Sequence, residues 1–237
     1  MHLKRISAPR DWAINRKERK FIARPIPGPH RLDSCITLIH LIKDLLNQAK
    51  TKKEVKYILS NKKVLINKVP RNDHRFPVGI MDIIEIPDLK EKYILIYNQN
   101  GRLALNPITD SSSKLLKIIG KTVIKNGKVQ INLNDGRNLT LDKNDYSVGD
   151  TIVFDLESKK IKSHLKLDKD AIIYLIGGSY KGKIGILQKI EEKEGSESAK
   201  VSFLIDKEIH TTLKKYAFVV GKDKSLIEVK KWTAWKI

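Results

Sequence analysis

One cysteine, Cys35, stands in a chain of 237 residues, so no internal disulfide can staple the fold. With six scattered histidines and no cysteine pair, a structural zinc site has no ligand set either. A reducing, intracellular setting is expected. Long hydrophobic runs are also missing. Nothing approaches the roughly 18 consecutive apolar residues of a membrane-spanning helix, and no basic helix carries the apolar face that would lie on a membrane. The basic start His2-Leu3-Lys4-Arg5 leads into no apolar segment, which argues against a secretory signal. The most informative shortage is of acid. Asp and Glu number 27 against 47 Lys and Arg, a formal net charge of +20, with a pI near 9.8. Residues 1–80 hold 19 of the cations and only 6 of the acids. Such a chain repels itself until a polyanion neutralises it, the electrostatic footprint of nucleic-acid binding.

What is present falls into five segments. Residues 1–36 are broken by Pro9, Pro25, Pro27 and Pro29, each of which bars its predecessor from helix. They read as an extended basic arm, with Trp12 and Phe21 as candidate anchors. Residues 37–87 read as helix–turn–helix–strand–loop–strand. Leu38, Leu41, Ile42, Leu45, Leu46 and Ala49 recur at helical spacing to about Lys50. Thr51 and Glu54 then form a capping box opening a second helix, which Asn61 is expected to end in the left-handed conformation. Residues 88–168 carry short apolar runs between turn signals such as Asn100-Gly101, Asn126-Gly127 and Asp135-Gly136, the pattern of an all-β domain. Residues 169–222 suit a small five-stranded barrel. Residues 223–237 form a tail in which Trp232 and Trp235 sit among lysines, more suited to docking than to stacking on bases. The expected class is α+β and multi-domain.

Two motifs point to chemistry. Lys52, Lys53, Lys56, Lys62 and Lys63 share twelve residues with one acid, Glu54, on and just after a capped helix whose N-terminus favours phosphate. The loop Gly177-Gly178-Ser179-Tyr180-Lys181-Gly182-Lys183 matches the outline of a phosphate-binding P-loop. Yet Ile184 stands where Mg²⁺ coordination needs Ser or Thr, and the residues after it alternate like a strand. The loop better resembles a KOW motif, with Gly177, Gly178, Gly182 and Gly185 where the backbone turns or comes close to RNA. Catalytic constellations are not apparent, because the histidines sit in different segments without nucleophile partners.

Residues 37–87 resemble the RNA-binding module of the ribosomal-protein-S-four superfamily. Val64-Leu65-Ile66-Asn67 matches its strand "V-x-V-N". Val78 to Ile84 matches its closing "V-x-x-G-D-x-I", with Met81 inserted before Asp82. The wider order of parts is similar to one family, the archaeal and eukaryotic small-subunit ribosomal protein S-four-e. The resemblance is carried by His2-Leu3-Lys4-Arg5, Ala8-Pro9, Trp12, Arg24-Pro25, Gly28-Pro29-His30, Leu133-Asn134-Asp135-Gly136-Arg137-Asn138 and Tyr146-x-x-Gly149-Asp150. Asn134 stands where His is usual, and Ser179-Tyr180 departs from the family's loop. The likeness implies a structural constituent of the small ribosomal subunit, in cytoplasmic ribosomes. Its partners would be small-subunit rRNA and neighbouring ribosomal proteins, with no membrane, small-molecule substrate, cofactor, metal or catalytic residue. The RNA-facing set would be Lys4, Arg5, Arg10, Trp12, Arg16, Lys17, Arg19, Lys20, Arg24, His30 and Arg31 on the arm. To these are added Lys52, Lys53, Lys56, Lys62, Lys63 and Arg71 on the module, and Arg137, Lys181 and Lys183 beyond it. A regulatory or elongation-type RNA-binding protein is the alternative.

Overall fold

The computed structural model describes residues 2–124, 127–142, 145–192, 198–206 and 208–222. Asn126 of the expected Asn126-Gly127 turn, residues 193–197 and the tail with its two tryptophans lie outside the described residues. The protein is mostly β, with few helices and several sheets. It divides into two compact units, residues 1–97 with 102–114, and residues 98–101 with 115–237.

In the first unit, β1 (Leu3–Lys4) and β2 (Phe21–Ile22) form an antiparallel ribbon, and β3 (Cys35–Thr37) leads into the helical layer. The first helix is shorter than its apolar spacing predicts. It runs as α1 (Leu38–His40) and widens into a π turn over Leu41–Leu45, with the Leu46 amide donating to Leu41 O. Asn47 then turns left-handed, at φ 53°, and stops it. The second helix, α2 (Lys52–Ser60), starts on the capping box as expected. Its end differs: Asn61 keeps a negative φ and Lys62 takes the left-handed position at 55°. The Lys62 and Lys63 amides donate to Leu59 O and Ile58 O, a Schellman closure in which Lys62 occupies glycine's usual place.

Next come β4 (Leu65–Ile66), β5 (Val69–Pro70), β6 (Pro77–Gly79), β7 (Ile83–Ile86), β8 (Glu91–Tyr97) and β9 (Leu103–Pro107). β6 pairs with β3, and the rest form one sheet in the order β5-β4-β7-β8-β9. The segment boundary expected at 87 therefore falls inside a sheet. Pro87 begins a single 3-10 turn (Pro87–Leu89), after which the chain reverses and β8 pairs antiparallel with β7. Apolar strands on either side of so short a turn bury each other more readily than they separate. Met81 is also not an insertion. It holds φ 66° with its side chain fully buried, at the position where the module's pattern has glycine.

In the second unit, which takes β10 (Ser113–Val123) from Leu115 on, β10, β11 (Val129–Leu133), β12 (Asn138–Leu141), β13 (Thr151–Asp155) and β14 (Ile161–Leu165) make a sheet in the order β12-β11-β10-β13-β14. Its alternation of buried and exposed residues along β11 is that of a half-buried strand. A half-barrel follows, from β15 (Ile172–Leu175), β16 (Ile184–Glu191), β17 (Lys200–Ile205), β18 (Glu208–Leu213) and β19 (Ala217–Gly221), in the order β18-β17-β16-β15-β19. Ile173, Leu175, Leu187, Val201, Phe203 and Val219 fill its core.

Candidate nucleic-acid interface

On α2 the lysines Lys52, Lys53 and Lys56 are exposed. The acid among them is turned away. The Glu54 carboxylate accepts from the Lys50 and Thr51 amides at 2.8 and 3.3 Å, while the Glu54 amide donates to Thr51 Oγ1. Those bonds hold its carboxyl below the usual carboxylate range, so its charge answers the helix N-terminus rather than the lysines. The field of those lysines is felt nearby. Burial, and then Lys52 and Lys56, push the His74 imidazole down from its ordinary value. Lys62 is exposed on the closing turn. Lys63 is engaged, its ammonium 2.8 Å from the Asp88 carboxylate. The Arg71 guanidinium lies over the Phe76 ring at 4.5 Å.

The arm sorts into two sets. Lys4, Arg10, Lys17, Arg19, Lys20, Arg24 and Arg31 are exposed. Four others of the expected RNA-facing residues turn inward. The Trp12 side chain is buried, and its Nε1 donates to Cys35 O at 2.6 Å. Arg5 is buried and donates to Asn15 O and to Glu18. Arg16 is spent on the arm's own carbonyls, Ile6, Ala8 and Pro9. His30 lies with Nε2 2.9 Å from Asp82 Oδ2, its side chain 4% exposed. A positive charge or an indole N–H that suits RNA can equally satisfy carbonyls and a carboxylate inside the fold.

Asp82, the acid of the module's closing pattern, is a hub whose partners lie far off in sequence. Its carboxylate receives Lys114 Nζ at 2.6 Å, Asn67 Nδ2 at 2.8 Å and the Gly79 amide at 2.7 Å, besides the His30 contact. Burial works to raise its pKa, but the charges of Lys114 and His30 overcome it and hold the carboxyl far below the usual range. Lys114 sits in the run Ser-Lys-Leu-Leu-Lys-Ile-Ile, where a lysine reads as a solvated position.

On the half-barrel, the loop between β15 and β16 shows why it needs glycine. Gly182 holds φ +86°, which a side chain adopts only under strain. A Cβ on Gly177 would meet the Tyr216 ring at 2.3 Å, and one on Gly185 would stand 3.0 Å from both Leu204 O and the Phe203 ring. The residues after Lys183 form β16, so no helix N-terminus faces the loop, contrary to a P-loop. Lys183 is exposed, with its ammonium 5.6 Å from the centre of the Tyr180 ring, and Lys181 is half-buried beside Gly101. Tyr180 also stacks on His210, its hydroxyl 3.0 Å from Nδ1. Arg137 reaches the Asp135 carboxylate at 3.2 Å and lies over Phe154. Among the described residues no cluster of His, Cys, Asp and Glu could hold a metal ion, and no helix is long and apolar enough to cross a membrane.

Two family models match the chain. Residues 1–33 match the RS4NT (NUC023) domain and residues 89–161 match Ribosomal family S4e. The small ribosomal subunit protein eS4 of Methanosphaera stadtmanae is 39% identical over 230 residues, 96% of this chain and 95% of that protein. The eS4 protein of Archaeoglobus fulgidus is 37% identical over 97% of this chain and 98% of its own length. The crystal structure of the 30S ribosomal protein S4e from Thermoplasma acidophilum superposes with a TM-score of 0.72 at 32% identity, covering 82% of this chain and all of that one. With likeness of this degree along nearly its whole length, the chain belongs to ribosomal family S4e.

Proposed function

We propose that this chain binds small-subunit rRNA through three basic surfaces: the lysine face of α2, the outward cations of the arm, and the glycine loop of the half-barrel read as a KOW motif. The protein is a structural constituent of the small ribosomal subunit and not an enzyme. The observation that carries the rRNA reading is α2. Lys52, Lys53 and Lys56 stand beside a helix N-terminus, and the one acid among them is spent on backbone amides. Three exposed cations thus outweigh a single carboxylate that is already engaged, and phosphate is the ligand such a cluster holds. Exposed Lys4, Arg10, Lys17, Arg19, Lys20, Arg24 and Arg31 extend the same charge along the arm. Lys62, Arg71, Arg137, Lys181 and Lys183 supply further point contacts. Trp12, Arg5, Arg16 and His30 hold the arm rather than the RNA. Neighbouring ribosomal proteins complete the surroundings in a cytoplasmic ribosome.

Sedimentation tests this reading. Tagged protein should co-migrate with small subunits and stay on them through a moderate salt wash. Release at moderate salt, with no binding to purified small-subunit rRNA, would point instead to a regulatory or elongation-type factor.

A further inference from the structure

A groove of about 460 Å³ opens on the second unit, apart from the basic surfaces described above. Its shape originates in the backbone. A β-bulge in β10 shifts the register against β11 between Ile118 and Gly120. Ile118 is fully buried, whereas Ile119 is thrown outward and is 59% exposed. Bulges re-aim side chains in this way and are enriched next to functional sites. Val148 stands beside it, 47% exposed, on the turn whose Gly149 amide donates to Ile118 O. These two branched aliphatic side chains and Leu213, at the end of β18, give the groove an apolar lining.

The rim is cationic. Lys214 and Lys215 line it on the turn Lys214–Tyr216. That turn is pinned from below by Lys117, whose buried ammonium donates to the carbonyls of Lys214, Lys215 and Ala217. Lys117 is therefore committed to the scaffold, while the two rim lysines carry charge at the mouth. No carboxylate is among the described residues that line the groove.

We infer that the groove receives one unpaired rRNA nucleotide, its base against Ile119, Val148 and Leu213 and its phosphate at Lys214 and Lys215. This rests on the rRNA binding proposed above. The volume is in the range of small-ligand pockets, roughly 300–1,000 Å³, and sequence-specific RNA recognition targets bases splayed out of the helix. An apolar lining with a cationic rim suits a base and its phosphate together. A side chain from a neighbouring basic protein would meet like charge at the mouth.

The test uses the full chain and small-subunit rRNA carrying 4-thiouridine. Irradiation should cross-link peptides containing Ile119, Val148 or Leu213. The pair Ile119→Ser and Val148→Ser changes exposed side chains, so the melting temperature should hold. rRNA affinity should fall about fivefold to tenfold with the salt slope unchanged. Lys214→Ala with Lys215→Ala should instead flatten the slope, by about 0.7 per lysine on single-stranded RNA. Wild-type affinity in the serine pair, with no cross-link at these peptides while rRNA still binds, would overturn the groove assignment alone. A cross-link from these peptides to a neighbouring protein in the assembled subunit would overturn it too. Failure of the unaltered chain to bind rRNA at all would instead remove the wider reading on which it stands.

Discussion

Asp82 shows how a single residue gathers distant stretches of the first unit. Its partners come from the arm (His30), the β4–β5 turn (Asn67) and the start of β10 (Lys114). Removing the charge strands a buried ammonium, so Asp82→Asn should destabilise by about 3–5 kcal/mol. The same geometry fixes a pH dependence. The unfolded chain protonates this carboxyl near pH 4, while the folded one holds out to much lower pH. Its contribution is thus complete above about pH 4 and is lost as pH falls below that, by up to ~1.4 kcal/mol per pH unit. Urea unfolding between pH 5 and pH 2 checks this: stability should fall more steeply in the wild type than in Asp82→Asn. Should that variant not fold, Lys114→Met serves, because it removes the largest charge that depresses the carboxyl. Parallel slopes would refute the assignment. Gly185 offers a second residue-scale expectation. Its missing Cβ leaves room for Leu204 O and Phe203, so Gly185→Val should lower the thermal midpoint of the half-barrel, with overpacking typically costing about 1–3 kcal/mol. An unchanged midpoint would mean that the strands yield there.

At the scale of elements, α2 is the one whose function separates most cleanly from its packing. Val55 and Leu59 are buried, and Lys52, Lys53 and Lys56 face out, so replacing the three lysines by alanine should leave the fold intact. rRNA affinity should fall similarly across sequences. The plot of log affinity against log salt should flatten by up to about 0.7–0.9 for each phosphate that is no longer neutralised. Lys63, already paired with Asp88, should add less than any of the three. An unchanged slope would make this a solvated face. The capping box that starts α2 was plain in Thr51 and Glu54, because capping chemistry is local. The hairpin at Asn100-Gly101 was equally plain, and Gly101 does turn at φ 71°. Elements set by distant partners were not. The π turn that cuts α1 short leaves the apolar spacing intact. β18 is hard to read from sequence, because Glu-Ile-His-Thr-Thr-Leu has too little apolar alternation and its pairing partner β17 decides the matter. Lys114 and Lys117 read as solvated lysines because nothing local shows that a carboxylate or three carbonyls will meet them.

For the whole molecule, the main departure concerns the arm. Proline and charge predict an extended segment without a core of its own, yet residues 1–36 are tied into the first unit at successive points. Trp12 is buried on Cys35 O, Asp11 O accepts from the Leu103 amide at 2.8 Å, and Arg75 O accepts from the Ile26 amide at 3.1 Å. Gly28 packs so closely on Pro77 that a Cβ there would come within 2.7 Å of the ring. Proline prevents helix but not docking, and a chain that need not bend into regular structure can lie along another surface and bond to it. The consequence is kinetic. Eight of the nine Lys and Arg in the first 31 residues are trypsin sites, Arg24 being shielded by Pro25, and a loose arm would be cut at once in free protein. A docked arm that recloses faster than it is cut is cleaved in proportion to its open fraction, so free and ribosome-bound protein should both resist. Trp12→Ala should break that equality. Losing a buried tryptophan costs about 3–5 kcal/mol, which raises the open fraction of the arm by about a hundredfold or more. Trypsin should then remove the arm quickly from the free variant while residues beyond 37 persist. Rapid loss of the wild-type arm under the same conditions would show that its bonds to the first unit are too weak to hold it without RNA.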